Sequence, residues 1–263
     1  MKLQGEFHTF ITGTSGSIGG ALARAIRKSY PQAKLSLVDR DAGASKRLET
    51  ELGGRAQTVV ADLSDMGGLL AVHSQAVDAF GQVDLLVNCA GVMDVRSLEN
   101  TPWDVGERVL MVDMIAPMRL MNLCVPPMAK KGGGVVVNIS SMAGKVRLKG
   151  CTYYCAAKSG LAAASEIARE ELAPKNIRVL TVYPGPVASA LEKGARSQYA
   201  STAIANAMPN GDPDILADKV LAAIGHNSSE VVYPDIYKLG STFRGFGGIA
   251  DWITINFGPK PRE

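Results

Sequence analysis

The sequence predicts an α/β fold, built as one doubly wound parallel sheet with helices on both faces. Short apolar runs of strand length alternate with longer helical stretches, and a glycine-rich turn joins the first strand to the first helix. Nearly continuous apolar strands are typical of a parallel sheet that is buried on both faces. The chain contains no repeat and no compositional break, so a single domain spanning residues 1–263 is predicted.

Composition narrows the class of protein. The chain of 263 residues is 46% hydrophobic and 20% charged, which suits a soluble globular protein. Its net charge of +3 is small and dispersed, which argues against a nucleic-acid or anionic-membrane partner. The N-terminus lacks signal-peptide features, and no apolar run reaches the ~18 residues of a transmembrane helix, so no integral membrane segment is expected. Four cysteines in neither disulfide nor zinc spacing predict reduced thiols, a cytoplasmic location and no metal site.

The predicted elements follow in order. Strands are expected where short apolar stretches occur, at residues 7–12, 34–38, 56–60, 83–87, 135–139, 177–182 and 231–233. Helices are expected between them, at residues 21–29, 45–52, 69–80, 103–130 and 214–224, with a further helix around residues 154–164. Pro117 lies inside the longest of these helices and predicts a kink. Ligands collect at the carboxyl ends of the strands in such a sheet, so the residues that follow each strand are the candidate site.

The first candidate is the glycine-rich turn between the first strand and the first helix. Small residues let the backbone approach a pyrophosphate, and the N–H groups at the helix start point towards its charge. Outside this strand–turn–helix context the same residues would be only a tight turn. The turn therefore predicts nucleotide binding by Gly13, Ser15, Gly16, Ser17, Ile18 and Gly19.

The second candidate is Asp39, at the end of the second predicted strand. It lies 26 residues after Gly13, near the ~20-residue offset at which an acidic residue binds the adenosine ribose hydroxyls. Its charge would repel a 2′-phosphate, which favours NAD over NADP, while the adjacent Arg40 could soften that preference. The alternative interpretation is a solvated Asp-Arg turn.

The third candidate is a tyrosine–lysine pair. Tyr154 and Lys158 lie four residues apart on a predicted helix, which places a phenol beside an ammonium. A nearby cation lowers the pKa of a tyrosine, which can then act as a general acid or base on an alcohol or carbonyl. Ser141 follows a strand thirteen residues before Tyr154 and is placed to donate a hydrogen bond to a substrate oxygen. The pair alone could arise by chance, and Ser141 could instead be a helix cap.

These motifs, in this order, resemble the short-chain dehydrogenase/reductase family from about residue 7 to residue 233. The motifs that carry the resemblance are TGTSGSIG at 12–19, Asp62-Leu63, NCAG at 88–91, NISS at 138–141, YCAAK at 154–158 and YPGPV at 183–187. The resemblance implies a Rossmann-type domain with a seven-stranded parallel sheet, and usually a homodimer or homotetramer.

The resemblance also implies a role for each matching residue. Tyr154 would be the catalytic acid/base, Lys158 would lower its pKa and bind the nicotinamide ribose, and Ser141 would orient the substrate oxygen. Asp62 would meet the adenine ring. The other cofactor-binding positions implied by the motifs are Leu63, Asn88, Ala90, Gly91, Pro184, Gly185, Val187 and Ser189. The family uses no metal for this step.

Three residues depart from the family pattern. Ser17 stands where the family usually has a glycine, and Gly16 lies one position early. Cys89 replaces the commoner asparagine. Asp113 falls where the family usually has the helix asparagine that completes the catalytic tetrad. A carboxylate there could accept the same hydrogen bonds, or could pair with Lys158 and weaken its effect on Tyr154.

The predicted function is an NAD(P)-dependent oxidoreductase that interconverts a secondary alcohol and a ketone by hydride transfer. The alternative is a catalytically impaired nucleotide-binding regulator or scaffold with the same fold. A substrate flap is expected at about residues 188–211, and an apolar C-terminal tail at about 240–263. The apolar character of both favours a hydrophobic small-molecule substrate, although no residue demands it.

Overall fold

The computed structural model describes residues 3–199 and 210–237, which contain a seven-stranded sheet. The strands in chain order are β1 (His8–Thr12), β2 (Lys34–Asp39), β3 (Ala56–Val60), β4 (Leu85–Asn88), β5 (Gly134–Ile139), β6 (Ile177–Pro184) and β7 (Glu230–Tyr233). Their order across the sheet is β3-β2-β1-β4-β5-β6-β7, and all neighbours are parallel. This confirms the predicted doubly wound fold with seven strands.

Eight α-helices lie within the described ranges. They are α1 (Ser17–Ser29), α2 (Ala42–Leu52), α3 (Leu69–Phe80), α4 (Trp103–Leu110), α5 (Ala116–Lys130), α6 (Thr152–Leu172), α7 (Ala190–Gln198) and α8 (Pro213–His226). A π-helical turn, Met111–Ile115, joins α4 to α5. A kink was predicted at Pro117. The irregularity lies just before that residue, where the helix widens into the π-helical turn.

Side-chain alternation along the strands builds two cores. In β1, Ile11 belongs to the core beneath α1 and α8, whereas its neighbour Phe10 belongs to the core beneath α3 and α5. In β5, Val137 belongs to the first of these cores and its neighbour Val136 to the second. Successive strand side chains point to opposite faces, so an unbroken apolar run buries both faces of the sheet.

Several predicted bounds differ from the structure: β4 is Leu85–Asn88 rather than 83–87, α2 begins at Ala42 rather than 45, and α6 extends to Leu172 rather than 164. Two further differences bear on the site. The first helix begins at Ser17 rather than at residue 21. Its first turns contain Gly19 and Gly20, and glycine has a low helix propensity, so the prediction began after them. Helix α7 was not predicted; it occupies most of the described part of the predicted flap, and the Ser189 hydroxyl caps it by accepting the Glu192 N–H. Residues 200–209 of the flap and the whole predicted tail, 240–263, lie outside the described residues.

The helical stretch Trp103–Lys130 combines length with apolar composition. Its most apolar window has a mean hydropathy of 1.4, and it is the one helix within the described ranges that could cross a membrane by those criteria alone. Buried residues make up 44% of that window, and core helices of soluble proteins meet the same criteria. The expectation of no integral membrane segment stays a prediction.

A buried histidine links the amino ends of two strands. The Nδ1 of His8 donates to the Gly81 carbonyl at 2.7 Å, and its Nε2 lies 2.9 Å from the Ser36 hydroxyl. The side chain is 1% exposed, and burial is the main cause that lowers the pKa of His8 to about 4. His8 is therefore neutral in the folded protein at neutral pH.

Acidification is expected to destabilise the protein through His8. The folded-state pKa lies below the ordinary value of 6.5, so the unfolded state takes up the proton first. The free energy of unfolding should fall by about 3 kcal/mol from this group as the pH drops from about 6.5 to about 4. Urea unfolding across that range measures the effect. His8→Gln should flatten the dependence, and an unaltered dependence in this variant would contradict the role of His8.

Candidate active site

One large cleft opens at the carboxyl ends of the strands. It has a volume of about 1270 Å³ and lies beside the end of β1, where the chain order of the strands reverses between β1 and β4. Nearly all of the predicted site residues line it. They are Gly13, Ser15, Gly16, Ser17, Ile18, Gly19, Asp39, Arg40, Asp62, Leu63, Ala90, Gly91, Ser141, Tyr154, Lys158, Pro184, Gly185, Val187 and Ser189.

The glycine-rich turn packs too closely for side chains at two positions. Gly13 has a φ of +73°, and a Cβ there would lie 2.6 Å from the Cα of Ala90. A Cβ on Gly19 would lie 2.2 Å from the carbonyl oxygen of Gly13. Both obstacles are backbone atoms, so these two glycines are required by the local packing.

The start of α1 faces the cleft with its N–H groups open. Gly16 occupies the N-cap with an extended backbone and no side-chain cap, and Ser17 opens the helix. No acidic residue lies in the first turn. An uncapped helix N-terminus with a positive dipole end suits an anionic group such as a pyrophosphate. Glycine at position 17 is therefore not needed to form this turn.

Asp39 fixes the turn from the neighbouring strand. Its carboxylate accepts the Ser15 N–H at 2.8 Å and the Asp41 N–H at 3.0 Å, and the residue is 8% exposed. It is a built component of the site rather than the solvated turn of the alternative interpretation. Arg40 beside it is exposed.

The Asp62 carboxylate stabilises the turn after β3 and also contacts a residue of α4. Its carboxylate accepts the Ser64 N–H at 2.9 Å and pairs with Arg108 of α4 at 2.8 Å. Sequence reasoning missed Arg108, which lies in no motif and reaches the cleft only through the packing of α4.

Asn88 is corrected by the structure. Its side chain is 2% exposed and does not line the cleft; its Nδ2 donates to Asn138 Oδ1 at 2.8 Å. The two asparagines occupy paired positions of β4 and β5, and Asn138 in turn donates its Nδ2 to the Ser165 hydroxyl at 2.8 Å. Asn88 holds the strand ends together, and its neighbours Ala90 and Gly91 form the wall of the cleft.

Tyr154 and Lys158 lie in the first turns of α6. They are 8% and 3% exposed, and the Lys158 Nζ lies 5.7 Å from the centre of the Tyr154 ring. Contrary to the expected lowering, burial raises the pKa of Tyr154 above its ordinary value. Lys158 does lower that pKa, as does the Ser141 hydroxyl, but Asp113 raises it. The i, i+4 spacing of Tyr154 and Lys158 predicts neither the burial of the phenol nor the nearby charge of Asp113, and both raise the pKa of Tyr154.

Ser141 follows β5 and serves a local role as well. Its Oγ accepts the Ala143 N–H at 3.1 Å and caps the short 3₁₀ turn Met142–Gly144. The predicted cap is thus real, and it aims the same hydroxyl towards the Tyr154 phenol. The two interpretations of Ser141 are compatible.

Asp113 lies behind the lysine, on the π turn. It is 0% exposed, and its Oδ2 lies 3.1 Å from the Lys158 Nζ. Burial alone would lower the pKa of Lys158, but Asp113 and Tyr154 outweigh it and raise that pKa. Burial likewise raises the pKa of Asp113 against the pull of Lys158. Asp113 contacts the lysine and does not line the cleft.

Comparison with known families decides the classification. The family model described as short chain dehydrogenase matches residues 8–200. The chain belongs to this family.

Relatives of this short-chain dehydrogenase carry related descriptions. It is 30% identical over 238 residues to dehydrogenase/reductase SDR family member 7B of Bos taurus, covering 86% of this chain and 72% of the relative. It is 31% identical over 188 residues to D-beta-hydroxybutyrate dehydrogenase of Rhizobium meliloti (strain 1021), covering 69% and 71%. A crystal structure of 3-ketoacyl-(acyl-carrier-protein) reductase from Brucella melitensis complexed with NADH aligns with a TM-score of 0.75 and 24% identity, covering 86% and 96%. At that identity the likeness shows the fold alone.

The cleft of this short-chain dehydrogenase extends beyond the predicted cofactor positions. Apolar side chains line that remaining part, among them Val92, Met93, Met142, Val146, Leu148 and Leu191. Helix α7 is tied over it at its carboxyl end, where Gln198 Oε1 accepts the Val95 N–H at 2.9 Å and the Tyr199 hydroxyl lies 2.8 Å from the Cys151 Sγ. Of these residues, Leu191, Gln198 and Tyr199 fall within the predicted flap.

The residues of the cleft fit a nicotinamide dinucleotide. Gly13 and Gly19 leave a cradle that a Cβ would fill, the start of α1 offers open N–H groups, and Asp39 presents a carboxylate at the end of β2. Within the described ranges, no group of three or more His, Cys, Asp and Glu side chains is placed to hold a metal ion. The absence of a metal requirement stays a prediction.

Proposed function

We propose that the protein is an NAD(P)-dependent oxidoreductase that interconverts a secondary alcohol and a ketone by hydride transfer. The observation that carries the proposal is the meeting of Ser141, Tyr154 and Lys158 in the same cleft as the glycine-rich turn. Membership of the dehydrogenase family supports the general reaction class.

The chain's own residues account for the proton side of the reaction. A bound nicotinamide dinucleotide would supply the site that accepts or donates the hydride. Ser141 would donate a hydrogen bond to the substrate oxygen, and Tyr154 would take the hydroxyl proton during oxidation or return it during reduction. The Lys158 ammonium, buried one helical turn away, would stabilise the phenolate.

NAD is the proposed cofactor, with NADP possible. The Asp39 carboxylate is fixed at the end of β2, where a 2′-phosphate would meet its negative charge. The similar reductase from Brucella melitensis was crystallised with NADH. Arg40, next to Asp39, and Arg108, paired with Asp62, are positive groups of the cleft that would moderate the preference.

Asp39→Asn is expected to raise the ratio of kcat/KM with NADP to kcat/KM with NAD by about tenfold or more. The amide removes the charge and keeps one oxygen for the Ser15 N–H, while the Asp41 N–H loses its acceptor. That loss affects both cofactors alike, so the ratio reports the charge. Parallel kinetics with the two cofactors measure the ratio. Asp41→Asn, at the exposed N-cap of α2, is the matched control and should leave the ratio unchanged. An equal change in both variants would contradict the role of Asp39.

The proposed substrate is a hydrophobic secondary alcohol or ketone. The apolar side chains of the cleft support this class, and helix α7 adds Leu191 and Ala195 to the lining. The similar protein from Rhizobium meliloti is described as D-beta-hydroxybutyrate dehydrogenase, and hydroxybutyrate is a small polar secondary alcohol, so this name supports the alcohol–ketone reaction and not the hydrophobic class.

A dehydrogenase screen tests the function directly. NAD and NADP are supplied in parallel with secondary alcohols graded by size and polarity, and the reduced cofactor is followed by absorbance. We expect turnover with NAD that rises with the apolar size of the alcohol. A protein that turns over only small polar alcohols would refute the hydrophobic substrate class.

The rival is a nucleotide-binding regulator without the chemistry. One observation favours it. Asp113 pairs with Lys158, and both the burial of Tyr154 and the negative charge of Asp113 raise the pKa of Tyr154. NADH binding without turnover of any alcohol or ketone in the panel would select this rival.

We infer a cytoplasmic homo-oligomer, in keeping with the family resemblance. The reduced thiols of Cys89, Cys124 and Cys151 support a reducing compartment. Exposed apolar side chains on three helices, Trp103 on α4, Met118 on α5 and Ile167 on α6, support self-association.

A further inference from the structure

The buried pair formed by Asp113 and Lys158 has an unusual set of contacts. Asp113 Oδ1 accepts the Val92 N–H at 2.8 Å, while its Oδ2 lies 3.1 Å from the Lys158 Nζ. Both groups that face Asp113 are donors. A carboxylate supplies two acceptor oxygens for them, whereas an amide would supply one oxygen and one competing donor.

The lysine has a second contact beside Asp113. Its Nζ donates to the Ile139 carbonyl at 3.1 Å, so a carbonyl and a carboxylate both hold the ammonium. A Cβ on Gly91 would lie 3.1 Å from Asp113 Oδ2 and 3.5 Å from the Lys158 Nζ. Asp113 therefore lies directly behind the wall of the cleft, and Lys158 is part of that wall.

We propose that Asp113 is a positioning residue that clamps the Lys158 ammonium against the Ile139 carbonyl, partly cancels its charge and thereby sets the pH at which Tyr154 begins to accept protons. This inference rests on the proposed oxidoreductase function. With the clamp in place, the phenol feels a neutralised pair instead of a full cation, so oxidation by the wild-type protein requires more alkaline conditions.

Other groups around the phenol do not replace this effect. Those that face the pair or Tyr154 from each neighbouring element are Ser141 after β5, Cys89 after β4, Cys151 on α6 and Tyr199 after α7. Burial raises the pKa of Cys89 and of Cys151 to about 12 and raises that of Tyr199 further, so all three are neutral near pH 7. Asp113 and Lys158 are the charged groups in contact with this centre within the described residues.

The test compares Asp113→Asn with the wild type across pH. Alcohol oxidation is measured from about pH 6 to about pH 10, and the ratio of variant to wild-type kcat/KM is plotted. We expect the ratio to fall by about threefold or more as the pH rises, because the variant's phenol ionises at lower pH. A ratio that stays constant over the range would show that Asp113 is only structural and would overturn the proposal.

A second readout needs no turnover. The near-ultraviolet tyrosinate absorbance of each protein, minus that of its Tyr154→Phe counterpart, isolates the titration of Tyr154 among the seven tyrosines. The midpoint should lie at lower pH in Asp113→Asn. If no alcohol is oxidised but the midpoint moves, the oxidoreductase function fails and the clamp stands. If alcohols are oxidised but neither ratio nor midpoint responds, the clamp fails alone.

Two further variants secure the result. Asp84→Asn is the matched control, since Asp84 also pairs with a lysine (Lys131) and accepts a backbone N–H (His8), but lies at the opposite end of the sheet. It should leave the midpoint unchanged. Asp113→Glu keeps the charge and serves if Asp113→Asn does not fold, because removing one partner of a buried ion pair is strongly destabilising. An unchanged midpoint in Asp113→Glu supports the proposal, and a midpoint at lower pH contradicts it.

Discussion

Replacing Tyr154 with phenylalanine is expected to lower turnover by about 10²–10⁴-fold or more while leaving NADH binding nearly unchanged. The phenylalanine ring keeps the packing of this buried position, and only the hydroxyl that exchanges the substrate proton is lost. Steady-state kinetics measure the loss, and NADH fluorescence titration measures binding.

Tyr153→Phe provides a matched control on the same helix. The Tyr153 ring packs over Gly106 and meets Trp103 edge-on, with the ring centres 6.4 Å apart, and it does not line the large cleft. This variant should retain most of the wild-type turnover. Undiminished turnover in Tyr154→Phe, or an equal loss in both variants, would remove Tyr154 from the proposed mechanism.

Replacing Gly19 with alanine is expected to disrupt the cofactor site. The new Cβ would lie 2.2 Å from the Gly13 carbonyl oxygen and 2.8 Å from its carbon, so α1 and the turn must move apart. We expect NADH affinity to fall by at least about tenfold and the free energy of unfolding to fall by about 1–3 kcal/mol. Isothermal titration with NADH and urea unfolding measure the two effects.

The neighbouring residue supplies the control for this prediction. A Cβ on Gly20 would meet first the Arg24 guanidinium at 3.1 Å, the far end of a flexible side chain. Gly20→Ala should therefore bind NADH like the wild type. Wild-type affinity in Gly19→Ala, or the same loss in Gly20→Ala, would contradict the close-packing explanation.

The sheet could be predicted because its signal is local and repeated. Alternate residues such as Phe10 and Ile11 serve opposite cores, so each strand must be apolar throughout, and the seven strands were all located. The start of α1 was missed because glycines weigh against a helix by propensity. In the folded chain the absence of a Cβ on Gly19 is what lets the helix reach the turn.

The sequence predicted which residues line the site better than it predicted their burial and charge interactions. The motifs placed Tyr154, Lys158 and Ser141 in one cleft, but neither the burial of the phenol nor the ion pair with Asp113 follows from spacing. Asn88 was assigned to the cleft because the NCAG motif at 88–91, which follows a predicted strand, matches the family pattern. Its partner, Asn138, lies 50 residues away in the chain, and only the pairing of β4 with β5 reveals the match.

Because of the widened turn at Met111–Ile115, the direction of the Asp113 side chain depends on the number of residues in this helical stretch. Regular winding advances each residue by about 100° around the axis, so deleting one residue from the turn would swing the preceding segment around by that angle. Asp113 could then no longer face both Val92 and Lys158. A one-residue deletion here would misdirect the carboxylate and also turn Val109 of α4 out of its apolar cluster, so tolerance of substitutions in this stretch need not extend to changes in length.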